Sequence, residues 1–270
     1  MPQPFRFLSE LAAQSIVARF AGRSREERLS YATVRDYCDS LDHLPQLAGV
    51  DGDLKNVQRP WIVKAILGAV QPPARLLEIG GGEPLVSGFL SELGYDVTLI
   101  DPYDGVANGP TDYQTYVGRF PNVKIVREYF MPNISGLGSV SFDAIFSVSV
   151  LEHIVPESLP SFFQAIAARL RPGGASIHCF DFILQGVGEA HDLQMARSVV
   201  AEQAKLANDA TLAGELDFVI EGLKGEVETF FLSPQGHHIW RRGRPYEQFP
   251  FRKVVSLQTI VDRPKGTEGT

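Results

Sequence analysis

Five short runs of consecutive apolar residues recur through the middle of the chain, and segments with helical spacing separate them. Continuous apolar runs, as opposed to alternating ones, are typical of strands that helices cover on both faces of a sheet. Repeated strand and helix units of this kind predict a doubly wound, mostly parallel α/β fold. The predicted strands span 75–79, 97–100, 123–126, 142–148 and 175–182, and the predicted helices between them span 85–93, 113–119 and 156–170.

The segments on either side of this central pattern predict additions to the sheet. Residues 5–42 repeat apolar positions at helical spacing, and 57–70 predicts a helix that ends before Pro72 and Pro73. Beyond the fifth strand, two helices are expected at 189–206 and 211–223, as a lid beside the site. Two terminal strands are expected at 227–232 and 254–261, which would complete a seven-stranded sheet; residues 233–253 are expected to be a polar, aromatic and basic connection.

The same pattern predicts the domain organisation. Residues 1–56 are expected to form an N-terminal helical extension, which could act as a lid or as a homodimer contact. Residues 57–263 are expected to form one α/β domain with a helical insertion at about 185–225. A chain of 270 residues is long enough for one such core with embellishments. The tail 264–270 is expected to be disordered.

Charge and cysteine content narrow the function classes. A net charge of -7 argues against a nucleic-acid or anionic-membrane partner, because such surfaces are usually basic. The two cysteines, Cys38 and Cys179, have no metal-ligand or disulfide spacing, so no metal site is expected. No segment approaches the ~18 apolar residues of a membrane span. We therefore expect a soluble, cytoplasmic protein.

A glycine-rich turn follows the first predicted strand and carries the chemistry. The segment LLEIGGGEP places Glu78 before Gly80, Gly81 and Gly82, and a helix follows. Glycines allow positive φ and close approach of a ligand to the backbone, and a helix N-terminus favours an anionic group. Asp101 ends the next strand, 19 residues after Gly82 (101 − 82). A carboxylate at this spacing can accept hydrogen bonds from a ribose.

Two cofactor classes share this arrangement, and two positions separate them. A dinucleotide fingerprint requires glycine three residues after Gly82, where this chain has Leu85. The chain instead has Glu78 two residues before Gly80, and a carboxylate there suits a ligand with an ammonium group and a sulfonium cation. The turn thus favours S-adenosyl-L-methionine over a dinucleotide.

The region 73–182 resembles the class I methyltransferases that use S-adenosylmethionine. Four segments match the family in order: LLEIGGGEP, VTLIDP, IVREYF, and FDAIFSVSVLEHI followed by ARLRPGGASIHCF. The set in order is more specific than any one segment. Pro84 departs from the third glycine of the family motif, but proline is well tolerated at the first position of a helix.

The resemblance implies roles for individual residues and an antiparallel last strand. Glycines 80–82 would contact the methionine part of the cofactor, Glu78 would orient its ammonium group, and Asp101 would hold the ribose. Four residues are expected around the adenine: Glu128 or Tyr129 at its edge, with Phe130 and Pro102 on its faces. Core packing is an equally good explanation of Phe130. Ser147, near the end of the fourth strand, is expected beside the cofactor.

The candidate catalytic and substrate residues follow the fourth and fifth strands. His153 is expected to be the general base, because imidazole titrates near neutrality; a helix-capping or loop-packing role is the alternative. Asp181 could contact substrate, although a turn carboxylate is as plausible, whereas His178 is expected to be packed within its strand. His237, His238, Arg241 and Arg244 could bind an anionic or sugar-like acceptor, or form a solvated loop.

These predictions favour a small-molecule methyltransferase acting on oxygen, with a sugar or another hydroxyl-bearing metabolite as acceptor. Nitrogen methylation is an alternative that needs less base, because a neutral amine is already nucleophilic. A non-catalytic homologue that only binds the cofactor is a further alternative. The intact set of Glu78, Gly80, Gly82 and Asp101 argues against it.

Overall fold

A seven-stranded, mostly parallel sheet forms the centre of the protein, with helices on both faces. The computed structural model describes residues 4–23, 27–106 and 109–265. Its strands are β1 (Leu29–Tyr31), β2 (Arg75–Ile79), β3 (Asp96–Ile100), β4 (Lys124–Val126), β5 (Phe142–Val148), β6 (Leu170–Gln185) and β7 (Lys253–Asp262). The order across the sheet is β1, β7, β6, β5, β2, β3, β4. The predicted fold class is confirmed.

Strand direction places several loops at one edge of the sheet. Strands β2 to β6 are mutually parallel, so their carboxyl ends meet at the same edge. In the register of the central strands, Glu78 lies opposite Leu99 on one side and Phe146 on the other. Strand β7 runs antiparallel between β6 and β1, as the family resemblance implied.

Nine helices flank the sheet within the described residues, and they bury an apolar layer on each face. They are α1 (Glu10–Phe20), α2 (Val34–His43), α3 (Lys55–Ala69), α4 (Leu85–Glu92), α5 (Tyr113–Arg119), α6 (Leu159–Arg169), α7 (Glu189–Ala207), α8 (Leu212–Gly225) and α9 (Pro234–Arg241). One layer joins the sheet to α6, α7 and α8 through residues such as Ile145 and Phe163. The other joins it to α1, α3 and α4 through residues such as Phe146 and Phe89. Burial of both sheet faces explains the continuous apolar runs.

The prediction of a terminal strand at 227–232 was wrong. That segment makes only two isolated bridges, Thr33 with Thr229 and Phe231 with Val255. The outer position of the sheet is filled by β1, which pairs with β7 and lies in the region predicted to be helical. Three residues are too few to register as a strand in a sequence pattern. Pairing covers the exposed edge of β7, and Ser30 Oγ lies 2.9 Å from Gln258 Oε1.

The connection predicted at 233–253 was also wrong in part, because it contains α9. Ser233 caps this helix by accepting a hydrogen bond from the Gly236 amide, and Pro234 occupies the first turn. Within the tail, the structure describes Pro264 and Lys265, and residues 266–270 lie outside the described residues. No helix in the described part of the chain is long and apolar enough to span a membrane.

Candidate active site

A crevice with a volume of about 510 Å³ opens at the carboxyl ends of β2, β3 and β5. Open parallel sheets place ligand sites at this edge, where loops from neighbouring strands converge. One wall comes from the glycine-rich turn and the loop after β3, and another from the segment after β5 and the start of α3. The lining includes Lys55, Gly80, Gly82, Asp101, Pro102, Tyr129, Phe130, Met131, Ser149, Val150, His153 and Phe162.

The glycine-rich turn has the backbone geometry that its sequence predicted. Gly80 and Gly82 adopt φ angles of 66° and 56°, a region that disfavours residues with a Cβ. A Cβ at Gly80 would lie 2.7 Å from a methyl carbon of Val150, which also lines the crevice. The turn is therefore closely packed from behind and presents bare backbone to a ligand. Gly81 lies outside the crevice lining, and a Cβ there would meet the carboxyl of Glu78 at 2.7 Å.

Asp101 is fixed against this turn. Its Oδ2 accepts a hydrogen bond of 3.1 Å from the Gly82 amide, and its Oδ1 accepts one of 2.8 Å from the Tyr103 amide. Burial raises the pKa of Asp101, although these amide bonds oppose the shift. The carboxylate is thus held at the crevice wall by two neighbouring loops.

Tyr103 is a site residue that sequence analysis missed. It has a φ of 51°, and its side chain is 1% exposed. Its hydroxyl donates a 2.7 Å hydrogen bond to the Gly82 carbonyl, which ties the loop after β3 to the glycine-rich turn. Positive φ in a bulky residue is strained and tends to occur where the surroundings require it. The two turns that bound the crevice are therefore held together by one buried phenol.

Replacing Tyr103 with phenylalanine should loosen the turn without removing the ring. The lost hydrogen bond is expected to contribute about 0.5–1.5 kcal/mol, so affinity for the crevice ligand should fall roughly 2- to 10-fold. Tyr116→Phe is a matched control, because the Tyr116 ring lies 5.9 Å from that of Tyr103 and its hydroxyl has no hydrogen-bond partner among the described residues. Calorimetry that finds equal affinity for both variants would contradict this role for Tyr103.

Glu78 lies directly beneath the turn and is 2% exposed. Its Oε2 accepts hydrogen bonds from the Ser87 amide at 3.1 Å and from the Ser87 hydroxyl, in the first turn of α4. Burial raises the pKa of Glu78 to about 7, although the bonds from Ser87 oppose the shift. Pro84 precedes α4 as its N-cap, one residue earlier than expected, so the turn keeps its form with proline in place of glycine.

The raised pKa of Glu78 gives a stability prediction. The folded protein holds this proton more tightly than the unfolded chain does. Glu78 therefore lowers the free energy of unfolding progressively as the pH rises from 4.5 to about 7, and this loss is complete above about pH 7. Glu78→Gln should therefore stabilise the cofactor-free protein by up to about 3 kcal/mol at roughly pH 8. The gain should nearly vanish at roughly pH 4.5. Urea unfolding at both pH values checks this expectation, and a gain that does not depend on pH would contradict it.

Arg59 lies beside Glu78 on α3, one turn after Lys55. Burial lowers the pKa of Arg59, and the nearby carboxylates of Asp53, Glu83 and Glu78 oppose the shift. Its guanidinium forms no ion pair or hydrogen bond with any described residue. Arg59 is not among the residues that line the crevice, and the charges of these carboxylates partly offset the cost of burying its cation.

His153 lines the opposite side of the crevice, in a 3-10 turn at Leu151–His153 that follows β5. Its ring has no hydrogen-bond partner among the described residues. Burial lowers the pKa of His153, and the carboxylate of Asp181 opposes this effect. The neutral imidazole is consequently favoured near pH 7, and it can accept a proton from a ligand in the crevice.

A network of polar side chains lies behind His153. Gln58 is fully buried; its Nε2 donates to Asp181 Oδ1 at 2.8 Å, and its Oε1 accepts from the Ser149 hydroxyl at 2.8 Å. The Asp181 amide donates to Glu152 Oε1 at 3.3 Å. Burial raises the pKa of both Asp181 and Glu152, and the Asp181 carboxylate raises that of Glu152 further. Sequence analysis found only Asp181, because Gln58 precedes it by 123 residues.

Lys55 completes this side of the crevice. It is partly buried at the start of α3 and lines the crevice, and its charge lowers the pKa of Asp181. Its ammonium makes no hydrogen bond or ion pair with any described residue. The crevice lining therefore contains an imidazole and an uncommitted cation, and an acid pair lies next to them outside the lining.

Comparison with known protein families identifies the chain. A family model described as a methyltransferase domain matches residues 55–201. The chain belongs to this methyltransferase family. The match begins at Lys55 and includes every crevice residue discussed above, so the family and the geometry point to the same region.

Solved structures with similar folds are distant in sequence. A candidate sarcosine dimethylglycine methyltransferase from Galdieria sulphuraria is 17% identical, with a TM-score of 0.46, over 78% of this chain and 86% of its own. A TehB-like methyltransferase from Corynebacterium glutamicum is 20% identical, with a TM-score of 0.40, over 62% and 82%. Phosphoethanolamine N-methyltransferase 2 of Haemonchus contortus is 17% identical, with a TM-score of 0.44, over 77% and 52%. Curated proteins gave no significant match.

The cofactor of the methyltransferase is S-adenosylmethionine, as the turn predicted. The crevice fits it: bare backbone at Gly80 and Gly82 suits the methionine part, and the fixed carboxylate of Asp101 suits the ribose. Among the described residues, no group of three or more histidine, cysteine or acidic side chains could hold a metal ion.

The residues predicted around the adenine lie in different places. Pro102, Tyr129 and Phe130 line the crevice, and the Phe130 ring also packs edge to face on Phe162 at 5.3 Å, so both interpretations of Phe130 describe part of its surroundings. The Tyr129 hydroxyl donates to Asp104. Glu128 is not among the lining residues; its Oε1 accepts from the Ser135 hydroxyl and the Gly136 amide, both at 3.1 Å. Its role at the adenine stays a prediction.

Ser147 occupies the sheet interior instead of the crevice lining. It is fully buried, and its hydroxyl lies 2.7 Å from Nδ1 of His178, while Ser176 Oγ lies 2.8 Å from the other ring nitrogen. Burial lowers the pKa of His178 to about 3. The strand pairing that places Ser147 opposite His178 gives this serine a structural partner. The expectation that His178 is packed within its strand agrees with this arrangement.

Helix α9 and the turn after it carry the candidates His237, His238, Arg241 and Arg244, and none of these lines the crevice described above. His237 is 6% exposed and stacks on Phe249 at 5.3 Å, whereas His238, Arg242 and Arg244 are exposed. The helix is joined to the start of α3 by a 2.6 Å hydrogen bond from Trp240 Nε1 to Asp53 Oδ2. Asp53 is two residues before Lys55, so this hydrogen bond attaches α9 to the segment that leads into the crevice lining at Lys55.

Proposed function

We propose that this methyltransferase transfers a methyl group to a hydroxyl oxygen of a small molecule, such as a sugar or another hydroxyl-bearing metabolite. The proposal depends on His153, which lines the same crevice as Gly80 and Asp101 with a lowered pKa and no protein partner. A hydroxyl is a poor nucleophile until its proton is removed, whereas a neutral amine needs no base. A free, neutral imidazole facing the cofactor crevice therefore favours oxygen as the acceptor.

Bound S-adenosylmethionine supplies a methyl group on a positively charged sulfur, which is already activated for displacement. The protein must then align the acceptor and accept its proton. Backbone at Gly80 and Gly82 would bind the methionine part, and Asp101 would bind the ribose. Glu78 would face the methionine ammonium through Oε1, since Ser87 occupies only Oε2. A ring nitrogen of His153 would take the acceptor hydroxyl proton.

Asp181 has a supporting position in this proposal. Its carboxylate opposes the lowering of the His153 pKa and would stabilise the imidazolium formed when the proton is transferred. Gln58 and Ser149 fix Asp181 by hydrogen bonds, and φ of 51° at Ser149 directs this segment toward the crevice. Asp181 is not among the residues that line the crevice, so in this proposal it acts through His153, and direct contact with substrate stays a prediction.

The proposed acceptor loop consists of His237, His238, Arg241 and Arg244. Its support is the attachment of α9 to Asp53, beside Lys55. Replacing Arg241 and Arg244 together by glutamine should raise the KM for the acceptor more than it lowers kcat, because groups that bind ground and transition states alike act mainly on KM. Steady-state kinetics with the identified acceptor checks this expectation. Unchanged kinetics would leave these residues as solvated surface.

A labelling screen tests the proposed function. The protein is incubated with metabolite pools and S-adenosylmethionine that carries a 13C-labelled methyl group, and labelled products are identified by mass spectrometry. The expected product is a methyl ether of a small hydroxyl-bearing molecule, and Asp101→Ala protein is the control for background labelling. A labelled amine as the main product would reject oxygen as the acceptor. Absence of any labelled product, despite cofactor binding, would support the alternative of a non-catalytic cofactor-binding protein.

A further inference from the structure

A cluster of basic side chains from α9 and from the segment between α9 and β7 surrounds Phe249. Phe249 is its centre: the guanidinium carbons of Arg244 and Arg252 lie 4.1 and 4.5 Å from the centroid of its ring. The ring of His237 stacks on the same phenylalanine, with an interplanar angle of 27°. Two arginines and a histidine are therefore gathered around one aromatic side chain.

Three nitrogen atoms of this segment are buried without a partner. They are Nε2 of His237, Nε of Arg241 and Nε of Arg252, none of which has a hydrogen bond with a described residue. A buried polar nitrogen left unpaired costs about 1–3 kcal/mol, and more when the group is charged, as in the two arginines. Structures seldom retain several such atoms close together unless water, an ion or a ligand supplies the partner.

The cluster is also short of negative charge. Arg241, Arg244 and Arg252 form no ion pair with a described residue, although the chain as a whole has a net charge of -7. Asp192 is near enough to Arg252 for their charges to interact, but its Oδ2 accepts a 2.7 Å hydrogen bond from the Ile183 amide. Arginine is the side chain best suited to recognise a planar or tetrahedral oxyanion by paired hydrogen bonds.

The position of the cluster connects it with the acceptor side of the crevice. The Ser233 amide donates a 3.1 Å hydrogen bond to the Gly52 carbonyl, and Trp240 donates to Asp53, so both ends of α9 are attached to the segment before Lys55. A Cβ at Gly236 would lie 2.6 Å from the Gly52 carbonyl oxygen, so the helix packs tightly there. Lys55 itself faces the crevice with a free ammonium.

We infer that Arg241, Arg252 and His237, with Arg244 at the rim, form a binding subsite for an oxyanion. The inference rests on the proposed function: the acceptor would be a hydroxyl-bearing molecule with a carboxylate or phosphate group, held by this subsite while its hydroxyl reaches His153. Lys55 would provide positive charge along the path between the two. A neutral sugar would use neither the arginines nor Lys55.

Titration with inorganic phosphate tests the subsite directly. Phosphate is added against potassium chloride of equal ionic strength, and binding is followed by side-chain NMR signals of His237. We expect a Kd on the order of 1 mM, corresponding to about -4 kcal/mol, and a loss of roughly tenfold or more in Arg241→Gln/Arg252→Gln. Arg242→Gln is the matched control, because Arg242 is exposed on the same segment, and it should change the Kd less than about twofold.

Two further measurements keep the test independent of folding and of the methylation chemistry. Arg252→Lys retains the positive charge but loses the planar guanidinium with its paired N–H donors. This variant should therefore bind phosphate more weakly than wild type and more tightly than Arg252→Gln. Equal phosphate affinity in wild type and the double variant, or equal effects of chloride and phosphate, would overturn the subsite. A screen that yields only amine products would reject oxygen methylation and leave the subsite standing. Preferential methylation of neutral sugars would reject the proposed acceptor class instead.

Discussion

His153→Ala is expected to lower kcat by about 10²- to 10⁴-fold while changing affinity for S-adenosylmethionine less than about twofold. The physical reason is that in the proposed mechanism His153 acts on the acceptor and not on the cofactor, and no other imidazole lines the crevice within the described residues. Without a base, the acceptor hydroxyl must lose its proton to water. Single-turnover kinetics combined with calorimetry measures both quantities on the same protein.

The pH dependence distinguishes a base from a merely structural residue. The pKa of His153 is lowered, so the neutral form persists below the usual imidazole value of about 6.5. The acidic limb of kcat/KM should therefore lie below that pH in wild type and disappear in His153→Ala. His191→Ala is the control, because His191 is exposed on α7, outside the crevice lining, and has no part in the proposed mechanism. If His153→Ala keeps most of its activity across the pH range, the base must be sought at Asp181, His237 or His238.

Asp101→Ala is expected to weaken binding of S-adenosylmethionine and of its demethylated product by about 1.5–3 kcal/mol, or roughly 10- to 150-fold. The carboxylate is oriented by the Gly82 and Tyr103 amides, so its loss removes the ribose contact and also a link between two loops. Isothermal titration calorimetry with both ligands measures the effect. Wild-type protein should not bind NAD, since Leu85 replaces the glycine that a dinucleotide turn requires.

The control for Asp101→Ala is Asp96→Ala. Asp96 begins the same strand, β3, but lies at its exposed end, where its carboxylate is 3.8 Å from Arg75. Surface pairs of this kind contribute little to stability, so this variant should bind the cofactor like wild type. Affinity that is unchanged in Asp101→Ala would remove Asp101 from the ribose site. A melting curve of each variant, recorded without cofactor, shows whether weaker binding reflects lost contacts or lost fold.

Local sequence was sufficient to predict that Gly80, Gly82 and Asp101 lie close together. Gly80, Gly82 and Asp101 lie in one strand, turn, helix and strand unit, and the structure places all three around the same crevice. Glycine is required at positions 80 and 82 because the backbone there has positive φ. Asp101 lies near this turn because β2 and β3 are adjacent parallel strands. Such features depend on residues close in the chain, so their spacing is visible without a structure.

Contacts between residues distant in the chain determined the rest of the proposed site. Gln58 and Asp181 meet across 123 residues, and nothing in the sequence near either of them indicates the other. The Tyr103 hydroxyl donates a hydrogen bond to the glycine-rich turn, and no spacing rule predicts this contact for a residue in the loop after β3. Ser147 shows the opposite error: its position at the end of β5 suggested the crevice, but strand pairing turned it into a buried partner of His178.

The sequence by itself determined the parallel sheet, the glycine-rich turn and the choice of S-adenosylmethionine over a dinucleotide, because periodicity, backbone freedom and short-range spacing are local properties. Tertiary structure alone decided the edge strand, where β1 rather than 227–232 pairs with β7, since an edge position is set by which segment can cover exposed backbone. It also decided the protonation of the site. Burial raises the pKa of Glu152 and Asp181 and lowers that of His153, and burial exists only in the folded chain.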